Sequence, residues 1–156
     1  MKKYWLVKSD SEAFSIEDLK KSKNQTTYWD GVRNYQARNY LRDEMKKGDQ
    51  VLFYHSNSDL LAVVGVCEVV KEGYPDHTQF DPDNYHYDPK ADPKNPTWIV
   101  VDIKFVREFK TPVTLEAIKS NPKLKNIRLI ARGNRLSVMP VTNDEFDEIV
   151  KMSAHP

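Results

Sequence analysis

Apolar positions fall into two patterns along this chain, short alternating or continuous runs that predict strands and three- to four-residue recurrences that predict helices. Lys3 to Lys8, rich in aromatic and branched residues, predicts a first, interior strand, and Ser9-Asp10-Ser11-Glu12 breaks it. Ser15 and Asp18 form a capping-box pair opening a short helix through about Lys21, and Ser22 to Thr27 reads as a polar connection. Gly48-Asp49 turns the chain into a strand over Gln50 to Ser56. Asn57-Ser58-Asp59 then turns it back into an antiparallel partner, Leu60 to Val70, bent at Gly65. Gly73 to Pro96 is rich in Pro and Asp and reads as a long loop whose Tyr74, Phe80, Tyr85 and Tyr87 pack on the body. Trp98 to Phe109 alternates, with Val101, Ile103 and Phe105 on one face and Asp102 and Lys104 on the other. Thr114 caps a short helix ended by Pro122, Leu124 to Ala131 is a helical or extended piece, and Arg135 to Met139 is a last strand. A Thr142–Glu145 capping box opens a terminal helix with Phe146, Ile149 and Val150 inward. Irregularly mixed strands and helices predict an α+β fold, a small bent β-barrel flanked by helices, in one domain over residues 1–156.

One stretch departs from both patterns. Trp29 to Asn39 packs two aromatics, two guanidinium groups, three primary amides and a glycine into eleven residues. Asp30-Gly31 signals a turn, Asn34 is a candidate helix cap, and Ala37, Leu41 and Met45 place one helical stripe against a core. A loop anchored from behind in this way loses little entropy when its side chains grip a ligand, which makes Trp29, Arg33 and Asn34 candidates for binding.

Composition narrows the classes. At 156 residues, 39% hydrophobic and 30% charged, the chain suits a folded domain. No apolar run approaches the roughly 20 residues of a membrane span. The start, Met1-Lys2-Lys3-Tyr4-Trp5, lacks the apolar stretch of a signal peptide, so a cytoplasmic monomer with no membrane partner is expected. The one cysteine, Cys67, lies in an apolar run and reads as buried. A net charge of +1 excludes a sequence-independent DNA-coating protein and predicts weak binding to unmodified duplex with a shallow salt dependence. Arg33, Arg38, Arg42, Lys46 and Lys47 nevertheless form one local basic group, and Arg128, Arg132 and Arg135 a second.

For chemistry, His55, His77, His86 and His155 share no metal-ligand spacing, and no two glycines lie close enough to cradle a pyrophosphate; neither metal nor cofactor is expected. Lys8, Ser9, Asp10 and His55, each near a strand end, allow a hydrolase reading without a diagnostic spacing. A binding reading uses Trp29 and Tyr54 to stack on a flat ring, Asn34 and Ser56 to read its edge, and Arg33, Arg38 and Arg42 near phosphate.

The residues Tyr4 to Ser9, Trp29 to Asn39, Phe53-Tyr54-His55-Ser56, Val64-Gly65-Val66, Tyr74-Pro75-Asp76, Tyr87-Asp88-Pro89-Lys90, Pro112 to Leu115 and Arg135 to Val138, in this order, resemble those of EVE-domain proteins nearly end to end. The resemblance implies a PUA-like fold, akin to YTH, ASCH and SRA domains. It also implies a non-catalytic, cofactor-free reader of modified bases in nucleic acid, such as 5-methylcytosine or 5-hydroxymethylcytosine in DNA, or modified RNA bases. The base-binding residues it implies are Trp5, Lys8, Ser9, Trp29, Val32, Asn34, Tyr54, His55, Ser56, Arg135 and Ser137, beside Arg33 from the residue reading. The chain departs from the family pattern at Asp10-Ser11, where the family usually has Glu-Pro, and at Met139, where it often has Gln. The alternative is an enzyme of modified nucleosides, as some ASCH-like relatives are, with Lys8 as base and Asp10 as its partner.

Overall fold

The computed structural model describes residues 2–57 and 59–154; Met1, Ser58 of the expected turn and His155 lie outside them. Its elements are β1 (Tyr4–Ser9), α1 (Ile16–Lys21), β2 (Thr26–Tyr28), α2 (Tyr35–Asn39), β3 (Gln50–His55), β4 (Ala62–Pro75), β5 (Ile99–Thr114), α3 (Leu115–Ser120), β6 (Val138–Val141) and α4 (Asn143–Met152). The strands form one mixed sheet in the order β2-β5-β4-β3-β1-β6, with β1 parallel to β3 and the other pairs antiparallel. The α+β architecture is the expected one. Its two outer strands, β2 and β6, do not pair, so the curl is not closed into a hydrogen-bonded barrel.

Local chemistry explains most boundaries. Ser15 and Asp18, and Thr142 and Glu145, make both bonds of a capping box at α1 and α4, while Thr114 caps α3 and Asn34 caps α2. After Asn39 the α2 helix widens into a π turn over Tyr40–Glu44, closed by Met45 N–H donating to the Tyr40 carbonyl at 2.8 Å. Ala37, Leu41 and Met45 are all buried, as their spacing predicts. At Gly65 the β4–β5 register slips, and a Cβ there would lie 2.5 Å from the Arg107 carbonyl oxygen.

Three expectations change. Thr26–Tyr28 is a strand instead of a polar connection, because Thr27 and Tyr28 pair with Ile103 and Asp102 at the edge of the sheet. The last strand is Val138–Val141, not Arg135 to Met139; Asn134 accepts the Leu136 N–H and holds that segment in a turn, and Pro140 is tolerated because β6 is outermost. The long loop begins later than Gly73, since β4 runs to Pro75, and it carries a 3₁₀ turn over His77–Phe80.

Candidate functional site

The ends of β1 and β2 and the segment after β2 surround a cavity of about 440 Å3. Lys8, Ser9 and Asp10 come from the first, Thr27 and Tyr28 from the second, and Trp29 to Val32 from the third; Ala13, Phe14, Tyr85, His86 and Ser137 complete the wall. Trp29 is buried and packs edge-on against Phe14 and Phe53, so only a sliver of its ring reaches the space. Tyr85, by contrast, is 87% exposed and leans on His86 with ring centroids 3.8 Å apart and the planes tilted by 42°, placing an exposed aromatic at the cavity.

Long-range bonds lock the 29–33 segment. Trp29 N–H donates to the Val101 carbonyl at 2.8 Å. The buried Asp76 carboxylate accepts from Gly31 N–H and Arg33 Nη1, both at 3.0 Å, and from the Thr78 N–H and hydroxyl. Burial alone raises the pKa of Asp76, but the bonds from Thr78, Gly31 and Arg33 outweigh it and hold the carboxyl below its ordinary value. Arg33 also donates to the His86 carbonyl and to Thr78 Oγ1, and it lies over the Trp98 ring. Gly31 has a φ of +75°, and a Cβ on it would meet the His86 ring at 2.4 Å. His86 is thereby pressed onto glycine, its Nδ1 buried, without a hydrogen-bond partner among the described residues, and 3.6 Å from Asp30 Oδ2.

The polar groups of the cavity are of both signs. Asp30 offers a carboxylate. The Lys8 amine makes no ion pair among the described residues, and partial burial lowers its pKa. Asp10 accepts from Asn57 Nδ2 and from the Glu12 N–H, the first of which does most to depress its pKa, and it makes no ion pair with Lys8. The Lys8–Asp10 pair required by the nucleoside-enzyme alternative is therefore not formed.

Of the expected binding residues, the fold brings together Lys8, Ser9, Trp29, Val32 and Ser137. The others lie elsewhere, for physical reasons. Trp5 is about 10 Å back along β1 at three residues of strand rise, and its indole N–H donates to Asp49 at 3.0 Å. A larger depression of about 590 Å3 adjoins that end, between Lys3, Glu44 and Pro140, but it holds no other expected residue. Tyr54 is buried in the sheet opposite Lys8, and burial raises its phenol pKa. His55 Nε2 accepts the Ile16 N–H at the start of α1, an acceptor role that requires the neutral ring; burial lowers its pKa accordingly. Ser56 N–H ties β3 to the Ser9 carbonyl. Arg33 is committed to Asp76, and Asn34 to capping α2 through the Ala37 N–H. Arg38 donates to the Thr97 carbonyl and Asn39, and Arg42 makes two 2.8 Å bonds to Asp43, so neither stands free for phosphate. Asn34 and Arg135 line a separate depression on the far side of Val32.

Sequence reasoning missed Asp30, His86, Tyr85, Phe14 and Tyr28 in the cavity. Asp30-Gly31 carried a turn signal that hid its carboxylate, and the Gly73–Pro96 aromatics gave no sign of which would reach this space. Among the described residues no group of three or more His, Cys, Asp or Glu is placed to hold a metal, and no helix is long and apolar enough to cross a membrane.

Residues 3–152 match the family model described as the EVE domain. Chicken (Gallus gallus) thymocyte nuclear protein 1 is 47% identical over 166 residues, spanning 96% of this chain and 68% of that protein. Human THYN1, solved in complex with 5-methylcytosine-containing DNA, superposes with a TM-score of 0.94 at 45% identity, covering 99% of both chains. A protein from Pseudomonas syringae superposes with a TM-score of 0.91 at 43% identity, over 96% of this chain and 99% of that one. The nuclear name of the curated relatives overturns the cytoplasmic expectation.

Proposed function

The chain belongs to the EVE-domain family, and from that premise we propose that it is a non-catalytic reader of DNA that takes 5-methylcytosine into the cavity beneath Tyr85. The observation that carries this reading is the pairing of an acceptor and an uncommitted donor, Asp30 and Lys8, within one cavity walled by Phe14, Trp29 and Val32. At about 440 Å3 it falls in the range of small-ligand sites. Cytosine presents an N4 amine, which a carboxylate accepts, beside ring and carbonyl acceptors, which an ammonium satisfies. The 5-methyl group would sit against the apolar wall. The solved complex of human THYN1 with 5-methylcytosine DNA supports the same ligand class.

Roles shift accordingly from the sequence-based assignment. Edge reading falls to Asp30 and Lys8 instead of Asn34, and stacking to Tyr85 over the buried floor of Trp29. Burying one methyl group is worth about 0.8 kcal/mol, or about fourfold in affinity over unmodified cytosine. Thymine carries the same methyl but turns an O4 acceptor toward Asp30, and a good base-edge pair discriminates by about 1–3 kcal/mol.

Anisotropy titrations of strands carrying 5-methylcytosine, cytosine or thymine at one position test this. The wild type should rank them in that order of decreasing affinity or place thymine level with cytosine. Asp30→Asn, whose amide donates to O4, should narrow the methylcytosine-over-thymine gap. Equal affinity of the wild type for all three strands would reject the reading.

A further inference from the structure

Outside the base cavity, three arginines without an ion pair among the described residues gather around one depression. A depression of about 390 Å3 is lined by Arg128, Arg132 and Arg135 together with Asn34 and Gln36, and no acidic residue borders it. None of the three arginines forms an ion pair among the described residues. In the other basic group Arg33, Arg42 and Lys46 are paired with Asp76, Asp43 and Glu72, and the Arg38 guanidinium is engaged by the Thr97 carbonyl and Asn39. In a chain with 24 basic and 23 acidic residues, this leaves the arginine depression as a concentrated positive surface.

The depression is built, not a chance gathering of loose side chains. Tyr40, itself buried, accepts through its hydroxyl from Arg128 Nη1 at 3.2 Å and Gln36 Nε2 at 3.1 Å, fixing one edge. Asn134 bridges the Arg128 carbonyl and the Leu136 N–H, and Gly133 at φ +77° turns the chain so that Arg132 and Arg135 flank it. Asn34 has its carbonyl oxygen on the Ala37 N–H, which leaves its amide as a donor toward the depression.

Its position says what it takes. Leu136 lines the depression and Ser137 the base cavity; Asn34 lines the depression and Val32 the cavity. Adjacent residues lie 3.8 Å apart, so the two hollows adjoin along the 32–34 and 136–137 segments. We propose that the Arg128–Arg132–Arg135 depression is the phosphate site of the DNA strand whose base enters the cavity, holding the backbone beside the inserted nucleotide. It rests on the base-reader function and reassigns phosphate contact from Arg38 and Arg42 to these arginines. The bidentate guanidinium fork suits a phosphodiester, and such contacts set register without reading sequence.

The test is the salt dependence of binding. Each phosphate contact contributes about 0.7 to the slope of log affinity against log salt on single strands and about 0.9 on duplex. Arg132→Gln/Arg135→Gln should lower the slope by about 1.4–1.8 and weaken methylated and unmodified strands alike, on the order of tenfold at low salt. The single variants should each show about half the change in slope, Arg132→Lys/Arg135→Lys should keep the wild-type slope, and Arg42→Gln should leave it unmoved. Thermal melting of each variant verifies folding. An unchanged slope in the folded Gln variants, with methyl preference intact, overturns the phosphate site while the base reading stands. A reduced slope from a wild type that shows no methyl preference upholds the phosphate site and rejects the base reading.

Discussion

The two hollows on either side of Val32 are made by opposite means. The base cavity is held by bonds that cross the sequence: Asp76 reaches back over more than forty residues to Arg33 and Gly31, and His86 is clamped between the Arg33 guanidinium and the Gly31 backbone. The arginine depression is shaped mainly by the local turn at Gly133 and Asn134, with one long-range bond from Arg128 to Tyr40, and its guanidinium groups form no ion pair among the described residues. Beside the base cavity Arg33 is spent on Asp76, whereas the depression keeps three arginines without an ion pair among the described residues. The difference separates selectivity from affinity, since a rigid cavity discriminates among bases and an open basic surface attracts any strand.

Breaking the cavity's central bond should therefore have the largest effect. Asp76→Ala leaves Arg33, half-buried over Trp98, without its carboxylate and strands the Gly31 N–H. Removing one member of such a pair costs about 3–5 kcal/mol, to be read in urea unfolding at neutral pH. A loss under 1 kcal/mol would mean that the 29–33 segment is held by its packing alone.

Gly31→Ala comes next. The strained φ of +75° costs about 1–3 kcal/mol for a side-chain-bearing residue, and the new Cβ also meets the His86 ring. Adding His86→Ala relieves the clash and leaves the backbone strain, so the double variant should recover part of the lost stability. Full recovery would assign the whole cost to His86.

Acid provides a smaller and reversible way to sharpen the contrast. Because the folded-state pKa of Asp76 is depressed, its contribution is fully present above the unfolded value of about 3.9 and is lost as pH falls through the folded value. Unfolding measured from about pH 6 to pH 2.5 should show wild-type stability falling more steeply than that of Asp76→Asn, which has no proton to gain.

How far each region could be read from sequence follows from the same distinction. Caps depend on residues three apart, so Ser15, Asn34, Thr114 and Thr142 were all recognisable, as was the buried stripe of Ala37, Leu41 and Met45. The family resemblance supplied the fold, and Lys8, Ser9, Trp29, Val32 and Ser137 do meet in one cavity. What stayed hidden needed a partner distant in sequence. Arg33 and Asn34 look like ligand-binding groups until Asp76 and the α2 backbone are seen to use them, and Asp30 looks like a turn residue until Lys8 and His86 are placed around it. The basic pattern misled in the same way: Arg38 and Arg42 stand in the more prominent cluster, yet the Thr97 carbonyl and Asp43 already occupy them.

The smallest effect on stability belongs to the depression, and it is the sharpest test of the division. Arg132 and Arg135 are exposed, and neither carries an ion pair among the described residues. Substitution of such surface residues changes stability by less than about 0.5 kcal/mol. If anything, removing one of three neighbouring positive charges relieves repulsion. Arg132→Gln should therefore unfold at the wild-type urea midpoint while losing affinity for DNA, whereas Gly31→Ala loses stability and selectivity together. Arg128 is the intermediate case, because its bond to the buried Tyr40 hydroxyl ties it to α2; Arg128→Gln should cost about 0.5–1.5 kcal/mol, the net worth of one hydrogen bond. A destabilisation of Arg132→Gln as large as that of Arg128→Gln would show that the depression is part of the scaffold, and the separation of affinity from selectivity across the Val32 wall would fail.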